Sequence, residues 1–79
     1  MPYIRKEFRE TAKTAPTGPG ELNYCLTLII LDYVRRMHKS YATINEVVGA
    51  LEQVKDEFQR RVVHPYEDKK REENGEVYQ

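Results

Sequence analysis

The side chains in this chain that could do chemistry are few and scattered. Two Glu-x-x-Glu pairs occur, Glu7/Glu10 and Glu73/Glu76. On facing helices, and with a later Glu-x-x-Asp, such pairs hold magnesium in all-α nucleotide pyrophosphohydrolases. Here both pairs lie near the chain ends, where order is weakest, and the central segment has none. His38 and His64 each fall near the end of a helical pattern, where an imidazole serves as a charge partner for the helix dipole. Cys25 sits inside an apolar run, Cys25 to Leu31, and there a thiol behaves as a small hydrophobe. As the only cysteine it can form neither an intrachain disulfide nor a zinc site. These residues point away from an enzyme, with no metal and no cofactor.

Residues suited to binding are better represented. The chain has six tyrosines, two phenylalanines and no tryptophan. A tyrosine ring can stack on a base and its hydroxyl can orient a ligand, although edge packing in a small core explains many tyrosines equally well. Tyr24, Tyr41 and Tyr66 are the stacking candidates. Arg60 and Arg61 are adjacent, so on a helix they point about 100° apart and have different tasks. Arg61 lies beside an apolar seam. There it either pairs with Glu67 or Asp68 or holds an anion such as a phosphate, for which the guanidinium fork is well shaped. Asn23 and Asn45 fall in the first turns of the two strongest helical patterns. They either cap those helices or use the paired donor and acceptor of the amide to read a base edge or ribose.

The elements that must position these groups are helical. Tyr3 to Lys13 is a weak amphipathic pattern. Residues 14–20, TAPTGPG, form a linker of two prolines and two glycines. A strong helix is predicted from Gly20 or Glu21 to about His38, with Leu22, Cys25, Leu26, Ile29, Tyr33 and Met37 at helical spacing. Leu28, Ile30, Leu31 and Val34 widen its apolar surface beyond what one partner helix covers. After a connector at residues 39–42, Thr43-Ile44-Asn45-Glu46 matches a capping box. It opens a second helix running to about Val63, with Ile44, Val47, Leu51, Val54, Phe58 and Val62 as its seam. Pro65 should push His64 out of helical angles and kink or restart the helix. Asn74-Gly75 should close it with a left-handed cap, leaving 75–79 as an extended tail. The short connector implies an antiparallel helical hairpin.

Composition sets further bounds. A chain of 79 residues holds one domain, 1–79, and is marginal alone. Without disulfides or metals, self-association is the route left to it. The expected architecture is therefore all-α: an antiparallel helical hairpin with a short N-terminal segment and a Pro-kinked C-terminal helix, assembled as a homo-oligomer. Thirteen Lys and Arg balance thirteen Asp and Glu. Nucleic-acid polymers, which select a basic excess, are not the expected partner. The seven-residue apolar run is too short to span a bilayer, and the opening MPYIRKEFRE has no hydrophobic signal region. A cytoplasmic location follows as the expectation, and it suits a free thiol.

Taken together, MPYI, GELNY, INEVVGALEQVKDEFQRRVVHPYEDKK and ENGEVY resemble a family of small proteins found in phage and prophage genomes. The segment TAKTAPTGPG lies outside the resemblance. The setting it implies is a virus acting in the cytoplasm of a bacterial host. Very small accessory phage proteins are often inhibitors, and one group forms compact oligomers that sequester nucleotide immune signals. The chain is similar to that group in size, helical character and supply of Arg and Tyr. The functional expectation is an oligomer that binds a cyclic oligonucleotide or an ADP-ribose-type signal through Arg60, Arg61, Tyr24, Tyr41, Tyr66, Asn23 and Asn45. Two alternatives stand beside it. One is an inhibitor or adaptor that docks the first helix on a host protein; the other is a small virion or morphogenesis component.

Overall fold

The computed structural model describes residues 1–78, and every regular element among them is helical. The chain divides into two compact units, Met1–Ile44 and Asn45–Gln79.

In the first unit a 3-10 turn, Lys6–Phe8, leads into a single helical turn, α1 (Arg9–Ala12). The helix expected over Tyr3 to Lys13 is thus shorter, because residues 1–5 are non-helical and lie over the start of the next helix, α2 (Pro19–Arg36). A Cβ on Gly20 would come within 3.3 Å of Ile4 Cγ2, so a glycine there lets the opening residues lie against α2. Pro19 and Gly20, read from the sequence as linker, are the first residues of α2, and Gly18 is its N-cap. A proline at the first helical position loses no hydrogen bond and is already set to helical φ. Glu21 reaches back to accept from the Thr17 amide and hydroxyl, both at 3.2 Å. α1 packs on α2 and encloses Ala12 completely, at 0% exposure. Two further links join them: Arg9 lies over the Tyr24 ring at 5.6 Å, and the Cys25 thiol donates to the Lys13 carbonyl at 3.2 Å.

α2 ends earlier than expected, at Arg36, and His38 adopts a left-handed φ of 68°. In its last turns Arg35 and Arg36 both bind Asp32, at 3.0 and 2.8 Å. Hydrogen bonds from Arg36 and then Arg35 hold the Asp32 carboxyl below its ordinary value of 3.8.

The cap of the next helix is Ser40, not Thr43. The third helix, α3 (Tyr41–Phe58), begins two residues before Thr43, and the Ser40 hydroxyl accepts from the Thr43 amide at 3.2 Å. Ser40 also donates to the Thr43 hydroxyl at 3.1 Å, and Thr43 donates to the Met37 carbonyl at 3.5 Å. These contacts leave Thr43 only 5% exposed, so it acts as a buried strap rather than a cap. Replacing a serine N-cap with alanine removes one partner of an orphan amide. Ser40→Ala should lower unfolding free energy by about 1 kcal/mol, read as a lower urea midpoint with unchanged slope. Thr43→Ser should have less effect, because it keeps the hydroxyl.

Pro65 neither ends the helix nor displaces His64. Helical backbone continues from α3 through a π turn, Gln59–Val63, into α4 (His64–Asn74). His64 has φ −63° and ψ −46°, and its amide donates to the Gln59 carbonyl five residues back. A proline ring clashes with the carbonyl four residues before it, which here is Arg61. The wide turn supplies the room. Gly75 closes α4 at φ 97°, with its amide on the Arg71 carbonyl at 2.9 Å. The tail then turns back rather than extending freely: Glu76 pairs with Arg71 at 3.4 Å.

Candidate functional site at the π turn

The apolar seam of α3 steps by three and four residues: Ile44, Val47, Leu51, Val54, Phe58. From Phe58 to Val62, and again to Tyr66, it steps by four twice. In a pure α-helix each four-residue step overshoots the stripe by about 40°. A π turn accommodates an extra residue, so Val62 and Tyr66 stay in line with Phe58. Both arginines of interest lie within this turn. Such turns often mark functional positions.

Arg61 finds its partner on the turn before it. Its Nε donates to Glu57 at 3.3 Å, not to Glu67 or Asp68; Asp68 lies 3.8 Å from Arg71. Arg60 is 3.7 Å from Glu57 and 4.0 Å from Asp56. All four side chains are exposed. Exposed pairs of this kind contribute roughly 0–1 kcal/mol, so a phosphate could displace either carboxylate at little cost. Tyr66 presents one ring face to Lys70 Nζ at 5.6 Å and is itself exposed. Arg60, Arg61 and Tyr66 therefore stand exposed on one stretch of helix, Tyr66 in line with the apolar seam and Arg60 on the opposite side.

Of the other sequence candidates, Asn45 shares this unit and Asn23, Tyr24 and Tyr41 belong to the first. Asn45 is fifteen positions before Arg60, about 22 Å along the helix. It is the fifth residue of α3, so it is no cap and its amide is exposed. Asn23 is likewise inside α2, where its side-chain oxygen accepts from Thr27 at 3.3 Å. Tyr24 already has Arg9 over its ring. Tyr41, at 85% exposure, projects from the first position of α3. Sequence reading missed the Arg9–Tyr24 contact, since nothing in the spacing shows that α1 folds onto α2 there.

A concavity lies where the tail returns along α4. It is an open groove of about 560 Å³ with Glu67, Lys70, Arg71, Asn74, Val77 and Tyr78 among its lining. Its lining sets Glu67, Asp68 and Glu76 against Lys70 and Arg71, so it carries an acidic excess and does not favour an anion. Among the described residues, no three His, Cys, Asp or Glu side chains converge on a possible metal position. No described helix is long and apolar enough to cross a membrane.

Compared with known proteins, residues 1–77 match the model of a domain of unknown function, DUF6899. The chain belongs to the DUF6899 family. The match runs through the Thr11–Gly20 stretch that the sequence resemblance left out, so in DUF6899 this stretch is part of the domain. That agrees with Pro19 and Gly20 standing inside α2. Neither the curated proteins nor the solved structures contain a match to the chain.

Proposed function

We propose that this DUF6899 chain is a non-catalytic binding protein that works as a homo-oligomer of antiparallel helices. Its ligand on this reading is a small anionic nucleotide held at the π turn. One observation carries the assembly: many large apolar side chains of α2 and α3 are exposed, while among the described residues Ala12 is the only buried apolar one. Leu22, Ile29, Leu51, Val54 and Phe58 are all among the exposed residues. Apolar helix faces of this length call for a covering partner, and a chain of this size gains most by using its own copies.

The ligand reading rests on the π turn. Arg60 and Arg61 would bind phosphates, Tyr66 would stack on a base, and Tyr24, Tyr41, Asn23 or Asn45 would enter from neighbouring copies. The resemblance to phage proteins supplies the setting, sequestration of a host immune signal in the bacterial cytoplasm. Light scattering should give a mass that is a multiple of the 9.4 kDa chain. Calorimetry against cyclic di- and trinucleotides and ADP-ribose derivatives should find one that binds in the micromolar range or tighter. Arg61→Gln should weaken that binding about tenfold, as loss of one charge-assisted contact does. A screen without heat would remove the nucleotide while leaving the assembly standing. The same exposed faces support the rival, docking on a host protein, if the chain proves monomeric.

A further inference from the structure

We propose that Asn74-Gly75 is a site of spontaneous deamidation, and that this modification unties the tail from α4. The chain has three asparagines, Asn23, Asn45 and Asn74, followed by Tyr24, Glu46 and Gly75. Asparagine deamidates when the next residue's backbone nitrogen attacks its side-chain carbonyl carbon, and a side chain on that next residue obstructs the attack. Of the three, Asn74 alone is followed by a residue without one. Its position in the fold removes a second obstacle. Asn23 and Asn45 lie inside α2 and α3, where the helix aims the following nitrogen at a carbonyl one turn back. Asn74 is the last residue of α4 and is exposed. Gly75 stands just outside the helix, with nothing within 4 Å of where a side chain would begin. Its amide donates to the Arg71 carbonyl at 2.9 Å. That bond closes the last turn of α4, and terminal turns are the first to open.

Water is the sole co-reactant. With the last turn open, the Gly75 nitrogen loses its proton to solvent and bonds to Asn74 Cγ, closing a cyclic imide. The Cγ–Nδ2 bond breaks, and the amide nitrogen takes up a proton and leaves as ammonia. Water then adds to one of the two imide carbonyls. Opening at Cγ leaves aspartate. Opening at the main-chain carbonyl leaves isoaspartate, whose peptide link runs through the side chain. Either product sets a carboxylate at the C-terminal end of α4, where the helix dipole is already negative. The new charge stands three residues from Arg71 and beside Glu73. It competes with Glu76 for the guanidinium that holds the tail at 3.4 Å. Isoaspartate also lengthens the main chain by one carbon, which takes the Gly75 amide out of register with the Arg71 carbonyl. The Gly75 bond and the Glu76 pair hold the tail against α4, and the modification loosens both.

Prolonged incubation of the intact protein at mildly alkaline pH, followed by peptide mass spectrometry, tests the site. The peptide carrying Asn74 should gain the mass of an amide-to-acid exchange, and an isoaspartyl methyltransferase should label it. The Asn23 and Asn45 peptides of the same sample should stay unchanged. The rate should rise with pH, because attack needs the Gly75 nitrogen deprotonated. The native chain should react about tenfold more slowly than the chain in urea, since one exposed hydrogen bond must first open. Asn74→Gln should abolish the change, because the longer side chain closes the ring poorly. An Asn74 peptide that converts in urea and stays intact in the native protein would overturn the proposal. Equal conversion at Asn23 or Asn45 would do the same. The tail has its own readout: the modified fraction, isolated by anion exchange, should show faster motion at the Glu76 and Tyr78 amides by NMR relaxation. Unchanged relaxation there would overturn release of the tail.

Discussion

Leu51→Asp should convert the assembled protein to single chains. Leu51 lies at the middle of the α3 seam and is 42% exposed in one chain, so a covering partner would enclose the rest. A carboxylate placed there would have to be buried unpaired or be protonated. Either route costs about 4 kcal/mol, roughly a thousandfold in dissociation constant. Light scattering at working concentration should then report 9.4 kDa. Gln53→Asp provides the comparison, because it adds the same charge two residues on, where the helix turns away from the seam. Its mass should match the parent. An unchanged mass for Leu51→Asp would show that α3 is not where copies meet.

Ala12→Asp should release α1 from α2 while leaving α2 and α3 helical. Ala12 has no exposed surface, so a larger side chain must open the contact and a charge there has no partner. The combined penalty is about 3 kcal/mol or more, beyond what a single helical turn can sustain. Hydrogen exchange should show the Ala15 amide, bonded to the Thr11 carbonyl at 2.8 Å, losing its protection. Far-UV circular dichroism should change little, since α1 contributes only four residues. Ala12→Gly creates neither clash nor charge and should cost about 1 kcal/mol through helix propensity alone.

How much of this was legible depended on the kind of signal. The apolar periodicities of α2 and α3 are long, so both helices could be read directly. Their ends were harder. Ser40 and Thr43 both offer a capping hydroxyl, and Thr43 is instead drawn to the Met37 carbonyl. Pro19 reads as a linker residue beside Pro16 and Gly18, yet the same residue type suits a first helical position. The π turn left its trace in the two successive four-residue steps after Phe58. Pro65 drew attention instead, as a breaker. Among the binding candidates, Arg60, Arg61 and Tyr66 are neighbours in sequence, so their place on one stretch of helix needed no tertiary knowledge. Asn23, Asn45, Tyr24 and Tyr41 are dispersed along helices, and only packing could have gathered them. Arg61 was read as pairing forward to Glu67 or Asp68. The ordinary helical spacing of four residues leads back to Glu57 instead.

The bond from Cys25 to the Lys13 carbonyl gives the chain a gauge of its own. While α1 sits on α2 the thiol is half-covered and engaged; when α1 lifts, it is released to solvent. Alkylation of this one sulfur, timed against a small unfolded thiol, therefore measures the fraction of molecules in which the N-terminal turn is open. No label has to be introduced, and the Ala12 variants would fall in order along that scale.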